Sequence, residues 1–197
     1  MLRRRNPNGT RQRGAVLVEL TLVVPVLVTI VLGMFEIGMA WSSSQTVVQS
    51  SRSGARTVSQ LGTYAYSDQE ALRSALSSFG TDVGQVRRVS IYEYDAAEPN
   101  GVPSSCTTGT TGNRNSYGPL DFAQVTNASH FADSDTACGT ANASSSWCPT
   151  GRSDSQSTAT LVGVEVEYAH TPVSGFFGVA DRILTQRIVM KIEPRTS

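Results

Sequence analysis

A long apolar run near the N-terminus constrains this chain more than any other feature. The run extends from Ala15 to Trp41 and contains few polar residues. About 27 residues of helix measure roughly 40 Å, which exceeds the roughly 30 Å of a bilayer's hydrocarbon core. Pro25 lies inside the run, where a membrane helix tolerates proline better than a soluble helix does. The sequence therefore predicts a transmembrane helix over residues 15–41.

The residues before the run form a basic leader, residues 1–14. The leader contains no acidic residue and five arginines: Arg3, Arg4, Arg5, Arg11 and Arg13. Positive charges next to a membrane helix stay on the cytoplasmic side. We therefore expect the cytoplasmic membrane as the location, with the N-terminus inside and residues 42–197 outside as an exported domain.

A single carboxylate lies early in the apolar run, at Glu19. A charged side chain at the centre of a membrane helix costs roughly 2.5–3.5 kcal/mol on insertion scales, and such residues are usually functional. Glu19 lies near the cytoplasmic end, where the cost is lower, but it still requires a reason. The pattern indicates a role for this side chain beyond folding.

Gly14, Ala15 and Glu19 together resemble the processing site of type IV prepilins and pseudopilins. In those proteins a prepilin peptidase cuts after the glycine, and the glutamate becomes the fifth residue of the mature chain. The resemblance implies cleavage between Gly14 and Ala15. It also implies that Glu19 acts in assembly, by pairing with the free amine of a neighbouring subunit.

Three other interpretations of the apolar run stay open. The first is a plain signal peptide with a weak cleavage site at Gly38-Met39-Ala40, although its apolar region would normally have only about 7–15 residues. The second is an uncleaved anchor, which would make the chain a bitopic membrane protein with an external binding domain. The third is a buried core helix of a soluble protein.

Helical and strand patterns follow the apolar run. Small and apolar residues from Val47 to Leu61 recur at three- and four-residue spacing, which predicts that the helix continues and packs closely. Ser67 and Glu70 have the spacing of a capping box before a second helix. Alternating patterns then predict three strands: Val89–Tyr94, Leu161–Tyr168 and Ile188–Ile192. Glu165 and Glu167 are expected to pair with Arg187 and Lys191 across neighbouring strands.

Several motifs resemble one narrower family. They are Val18-Glu19-Leu20, Gly33-Met34-Phe35-Glu36-Ile37-Gly38, Arg52-Ser53-Gly54-Ala55-Arg56 and the closing segment from Leu184 to Pro194. In this order and spacing they are similar to TadE-like proteins, minor pseudopilins of the tight-adherence (Flp, type IVc) pilus system. Major Flp pilins are very short and usually carry Glu-Tyr, whereas Leu20 follows Glu19 here. The resemblance therefore implies an assembly subunit and not the main filament subunit.

The same resemblance implies a fold and a set of partners. The fold is α+β and pilin-like: a long N-terminal transmembrane helix packed on a small antiparallel sheet, with a long loop insertion. The partners are other pilin and pseudopilin subunits, the prepilin peptidase, the inner-membrane pilus assembly platform and membrane lipid. The protein then lies in the membrane, or in an extracellular pilus. Arg52 and Arg56 are expected to be solvated on the flank of the helix.

The insertion at residues 98–158 has a different composition, rich in Ser, Thr, Gly, Asn and Asp. Such a segment buries too little apolar surface to order itself, so we expect it to lie outside the core and to be dispensable for the sheet. It contains all three cysteines, and disulfides are the default use of cysteine in an exported chain. Cys138 and Cys148 are the preferred pair because the interval between them is short. Pairing of Cys106 with either one stays open.

Charge and composition exclude several functions. Without the five leader arginines, 11 basic and 16 acidic residues remain, and no basic patch indicates nucleic-acid binding. His130 and His170 are the only histidines, and neither has a catalytic pattern around it. The sequence contains no phosphate loop, dinucleotide fingerprint or metal-binding helix motif. We therefore expect a protein that is not an enzyme and holds no cofactor or metal.

Overall fold

The computed structural model describes residues 8–96, 113–131, 133–134, 137–138, 147–172 and 181–194. The chain divides into two compact units. The first contains the N-terminal helix as far as Trp41, and the second begins at Ser42 and contains every described strand. Residues 1–7 of the predicted leader lie outside the described residues, and residues 8–14 belong to the N-terminal helix.

The first unit is built on helix α1, which is continuous from Asn8 to Leu61. Its apolar side chains between residues 14 and 41 are largely exposed, and none of its most apolar 18-residue window is buried. The hydroxyls of Thr21 and Thr29 donate to carbonyls of the preceding turn, at 2.8 Å to Val18 and 2.8 Å to Pro25. The described residues leave this stretch exposed, which favours a membrane helix over the buried core helix of a soluble protein.

In the described part of the chain, α1 is the one helix long and apolar enough to cross a membrane. This finding indicates a single-pass membrane protein.

The second unit is centred on a four-stranded antiparallel sheet of order β2-β1-β5-β6. The long strands are β1 (Val86–Glu93), β5 (Leu161–His170) and β6 (Arg182–Lys191). The short elements are β2 (Arg114–Tyr117), the hairpin β3 (Asp133–Ser134) and β4 (Ala137–Cys138), α3 (Pro119–Ala123), and 3-10 turns at Gly80–Gln85, Ala128–His130 and Pro149–Gly151. The predicted α+β fold, with a long N-terminal helix and a small antiparallel sheet, is confirmed.

Small residues let the helices of the second unit pack closely on the sheet. Val47, Ala55 and Val58 of α1 are fully buried, as the three- and four-residue spacing predicts. A Cβ on Gly54 would lie 3.3 Å from the Cβ of Ala75 and 3.4 Å from Val164, in α2 (Ser67–Ser77) and β5 respectively. Gly54 is therefore a point of close approach between α1, α2 and the sheet.

The junction between α1 and α2 differs from the predicted capping box. Gly62 ends α1 with a φ of +54°, a conformation that favours glycine. The second helix begins after Tyr66, whose carbonyl accepts from the Glu70 N–H at 3.1 Å. Ser67 lies inside the helix and accepts from Arg152, while Glu70 pairs with Arg73. The capping-box prediction is wrong because Ser67 is engaged by Arg152 of the insertion and Glu70 by Arg73 of the same helix.

The insertion contributes to the core, contrary to the prediction. Its residues Arg114–Tyr117 form β2, which pairs with β1 as an edge strand. The described core residues that it contributes are at most 7% exposed: Tyr117, Phe122, Phe131 and Trp147. The polar composition of the insertion gives no sign of this role, because only a few large and widely spaced side chains pack in the core. The insertion is therefore part of the sheet and of its core.

The charge pairs on the sheet match the prediction in part. Arg187 is directly opposite Glu165, and its Nε donates to that carboxylate. Lys191 is opposite Leu161 and approaches the Gln156 carbonyl, so its predicted pairing with a glutamate is wrong. Glu167 pairs instead with Arg88 of β1, at 2.5 Å. The register of β5 and β6 decides these partners, and sequence alone did not reveal it.

Candidate functional site

The predicted processing site lies on an unobstructed helix surface. Gly14 and Ala15 are exposed in α1. A Cβ on Gly14 would meet no atom within 4 Å, and Gly14 does not have the positive φ found at Gly62 and Gly80. Glycine inside a helix is less favourable than alanine by about 1 kcal/mol. Neither packing nor backbone conformation in the described structure therefore explains why this residue is glycine.

Glu19 is an exposed carboxylate on an apolar helix surface. It makes no hydrogen bond or ion pair with any described residue. Its neighbours Val16 and Val23 are 61% and 52% exposed, so the surrounding surface is apolar and uncovered. A carboxylate in an apolar environment requires a cation with good hydrogen-bond geometry. Glu19 can therefore pair with a cation that another molecule supplies.

The Arg52-Ser53-Gly54-Ala55-Arg56 motif has two sides. Gly54 and Ala55 are buried against α2 and the sheet. Arg52 and Arg56 are exposed, as predicted, and neither forms an ion pair with a described residue. The motif therefore combines a packing contact within the second unit with two solvated cations.

A buried polar network ties α2 to the insertion. The Asp68 carboxylate accepts from Arg152 Nη1 at 2.7 Å, Asn115 Nδ2 at 2.6 Å and the Tyr117 hydroxyl at 2.9 Å. Asp68 is 3% exposed and Arg152 is 5% exposed. A buried ion pair is tolerated only when further hydrogen bonds satisfy its remaining atoms; the Asp68 carboxylate has such bonds, whereas the Arg152 Nε has no hydrogen-bond partner among the described residues. The network fixes both ends of the described insertion to one residue of α2.

Asn115 extends this network to the cysteine-bearing segment. Its amide accepts from the Trp147 N–H at 3.0 Å and donates to the Trp147 carbonyl at 2.7 Å, so it binds that backbone as a paired strand would. The guanidinium of Arg152 lies 4.3 Å from the centre of the Trp147 ring, within range of a cation–π contact. Trp147 is thereby held in the core from two directions.

Burial raises the pKa of the Tyr117 hydroxyl well above its ordinary value of 10.0, and the neighbouring Asp68 carboxylate acts in the same direction. Both effects disfavour a phenolate beside an existing negative charge. Tyr117 therefore stays protonated and donates its hydrogen to Asp68. The group acts as a fixed hydrogen-bond donor in the core.

The cysteines are only partly described. Cys148 precedes the Pro149–Gly151 turn and is disulfide-bonded. Cys138 lies in β4, but its side chain is outside the described part, as is all of Cys106. The Cys138–Cys148 pairing therefore stays a prediction, which peptide mapping without reduction would check.

The two histidines both have structural partners. His130 Nε2 lies 3.1 Å from the Asp121 carboxylate, whose other oxygen accepts from the Gly118 N–H. His170 ends β5, is buried, and lies with Nδ1 3.1 Å from the Ser43 hydroxyl of α1. Among the described residues, no group of His, Cys, Asp and Glu is arranged to hold a metal ion.

Sequence reasoning missed the residues that matter most inside the second unit. Asp68 looked like part of a helix start, and Asn115 and Arg152 looked like polar loop. One signal was available: Arg152 follows Trp147-Cys148-Pro149 within three residues. An arginine beside a buried tryptophan requires a buried acceptor.

Comparison with known proteins gives one family. Residues 14–56 match the family model described as TadE-like protein. The match begins at Gly14, ends at Arg56 and does not reach the closing segment, whose resemblance to the family stays a prediction. No curated protein and no solved structure matches the chain. The segment from the predicted cleavage site to the second arginine is therefore similar to TadE-like proteins.

Proposed function

We propose that this protein is a minor pseudopilin that takes part in assembling a tight-adherence (Flp) type IV pilus. In this proposal a prepilin peptidase cuts between Gly14 and Ala15. The basic leader stays in the cytoplasm, α1 crosses the membrane, and the second unit lies outside. The partners are other pilin and pseudopilin subunits and the membrane assembly platform, and the protein's role is structural and not enzymatic.

One observation carries this proposal. The TadE-like match begins at Gly14, a helical glycine that neither packing nor conformation requires, and contains Glu19, a carboxylate without a partner in the described chain. Both residues are costly for a simple anchor. Processing explains the glycine, and pairing with another subunit's new N-terminal amine explains the glutamate.

A second function stays open. An uncleaved bitopic membrane protein with an external binding domain has the same helix and the same exported unit. The apolar length of α1 favours neither function. What separates the two is the chemical N-terminus of the protein in its membrane.

Mass spectrometry of the intact protein from membranes tests the proposal. We expect a chain that begins at Ala15. A chain that begins at Met1 or Leu2 would support the uncleaved anchor, and one that begins after Ala40 would support a plain signal peptide. The measurement should use cells that contain the prepilin peptidase, with a peptidase deletion as the reference.

A pair of matched variants makes the test sharper. Gly14→Val and Gly38→Val both place a branched side chain on α1 where no atom lies within 4 Å of the new Cβ. Their effects on folding of the chain should therefore be equal and small. We expect only Gly14→Val to accumulate the precursor with its 14-residue leader, because the peptidase needs close backbone approach at that glycine. Normal processing of Gly14→Val would overturn the proposal.

A further inference from the structure

The part of α1 that belongs to the second unit presents one polar stripe to solvent. Between residues 43 and 60, the side chains of α1 are buried or half-buried except at five positions: Gln45, Gln49, Arg52, Arg56 and Gln60. The spacing of three and four residues places these side chains within an arc of about 80° and along roughly 22 Å of helix. All five are long hydrogen-bonding groups, and none is acidic. We call these five residues the Gln/Arg stripe.

The two arginines of the stripe have no counter-charge. Arg52 and Arg56 are four residues apart, a spacing at which like charges destabilise a helix. Neither forms an ion pair with a described residue. On the neighbouring helix α2, the Glu70 carboxylate binds Arg73 at 2.8 Å. Two exposed guanidinium groups on one helix face can therefore each bind a carboxylate of another molecule in bidentate geometry.

A lipid surface does not fit this stripe. A helix that lies on a membrane inserts an apolar face among the lipids, but Val47, Ala55 and Val58 of α1 are fully buried in the core of the second unit. Attraction to anionic lipids by charge alone requires a cluster of about 4–8 basic residues, and the stripe contains only two arginines. The glutamines supply neutral donors and acceptors, which suit the polar groups of a protein surface.

A second copy of this chain, docked through the same stripe, is also disfavoured. The stripe contains no carboxylate, so two copies that face each other through it bring four guanidinium groups together without a counter-charge, whatever their register. Like charges brought together at an interface cost free energy and suppress wrong partners. The charge of the stripe therefore selects a partner surface that is acidic.

We propose that the Gln/Arg stripe docks an acidic segment of a different exported protein. The segment carries two carboxylates about one helical turn apart, which bind Arg52 and Arg56, and polar groups on either side that bond the glutamines. Charge pairs of this kind contribute more to partner choice and to the rate of encounter than to affinity. The contact requires no cleavage after Gly14, so the processing test and the test of this contact fail independently.

Site-specific photo-cross-linking of the full chain, in the cells that make it, tests this contact. Benzoylphenylalanine replaces Gln49 of the stripe and, in a separate strain, Arg87, an exposed residue of β1. After irradiation, mass spectrometry identifies the attached protein and the attached residue. We expect the probe at Gln49 to attach to an exported protein, at a segment with two carboxylates about one helical turn apart. The probe at Arg87 should not give this adduct.

Charge reversal makes the result specific. Arg52→Glu and Arg56→Glu should each reduce the adduct at Gln49 by at least about fivefold, because each places a carboxylate opposite a carboxylate. Arg87→Glu, the matched control, makes the same change of charge at an exposed position outside the stripe and should leave the adduct at its wild-type level. Lysines in place of the two carboxylates of the attached segment should restore the adduct in the double variant Arg52→Glu/Arg56→Glu.

Five results would overturn the inference: no adduct at Gln49, an adduct only with lipid or with a second copy of this chain, an attached segment without the two carboxylates, an adduct that both charge reversals leave unchanged, or a double variant that the lysines do not rescue. If a charge-reversed chain does not fold, Arg52→Gln and Arg56→Gln remove the charges without reversing them. These neutral variants should still reduce the adduct by at least about twofold, and a wild-type level of adduct in both would equally overturn the inference.

Discussion

At the scale of single residues, Asp68 determines how the second unit is held together. Its carboxylate accepts from three groups of the insertion, and all of them are buried. The sequence suggested only a helix start at this position, because a capping pattern and a buried acceptor have the same composition. The contact with Arg152, which lies 84 residues further along the chain, shows that Asp68 is a buried acceptor and not a cap.

We expect Asp68→Ala to destabilise the second unit by about 3–5 kcal/mol, because it leaves the Arg152 guanidinium buried without a counter-charge. Urea unfolding of the full chain in micelles, followed by Trp147 fluorescence, measures the change. Glu70→Ala in the same helix is the matched control: its pair with Arg73 is 38–48% exposed, so its loss should cost at most about 1 kcal/mol. Equal effects of the two substitutions would contradict the role assigned to the network.

Tyr117 makes the stability of the unit depend on alkaline pH. Its folded-state pKa is raised from 10.0 by burial and by Asp68. A raised folded pKa means that the stabilisation is complete below the unfolded pKa and is lost as the pH rises above it. Above pH 10 the wild type should lose up to about 1.4 kcal/mol per pH unit from this group. Tyr117→Phe should show a shallower decrease. Denaturant midpoints of both proteins between pH 9 and 11.5 measure the decrease in stability. Identical pH dependence of the wild type and Tyr117→Phe would contradict the raised pKa of Tyr117.

At the scale of elements, the sequence predicted the regular parts and missed the irregular ones. Strong periodicity identified α1, α2, β1, β5 and β6, because burial of one face selects the residues of each element. β2 (Arg114–Tyr117) has no such pattern. It is a strand because β1 pairs with it and because the Asn115 side chain accepts a hydrogen bond from the Trp147 N–H. Tertiary contacts, and not local propensity, decide such a strand.

Because β2 lies in the insertion, we no longer expect the insertion to be dispensable for the sheet. Deleting residues 104–155 and joining the ends with a short Gly/Ser linker should unfold the second unit, because the deletion removes β2 and Trp147 and leaves Asp68 buried without Arg152. Loss of the cooperative urea transition measures it. Leu120→Ser, also in the insertion but at a side chain that is 84% exposed, should change stability by no more than about 0.5 kcal/mol. A cooperative transition in the deletion variant would show that the insertion is dispensable after all.

At the scale of the whole molecule, two sets of residues have separate tasks. The Asp68 network stabilises the second unit, whereas Gly14 and Glu19 belong to the first. The membrane helix, its basic leader and its early carboxylate were predictable from sequence. Basic residues stay on the cytoplasmic side of a membrane, and a carboxylate in an apolar helix has a large energetic cost. The pairing of Glu19 with a neighbouring subunit stays a prediction, since the described residues contain no partner for it.

Glu19→Ala should therefore impair assembly and leave folding intact. We expect the variant to be inserted, cleaved after Gly14 and as stable to urea as the wild type, because Glu19 has no partner within the described chain. Its recovery with pilus subunits in sheared or cross-linked fractions should fall, since the neighbouring subunit's amine then enters an apolar environment without a counter-charge. Val18→Ala, one position earlier on the same helix, is the matched control and should assemble normally. Normal recovery of Glu19→Ala would show that this carboxylate has no role in assembly, whereas a loss of insertion or cleavage would place its role earlier, at the membrane.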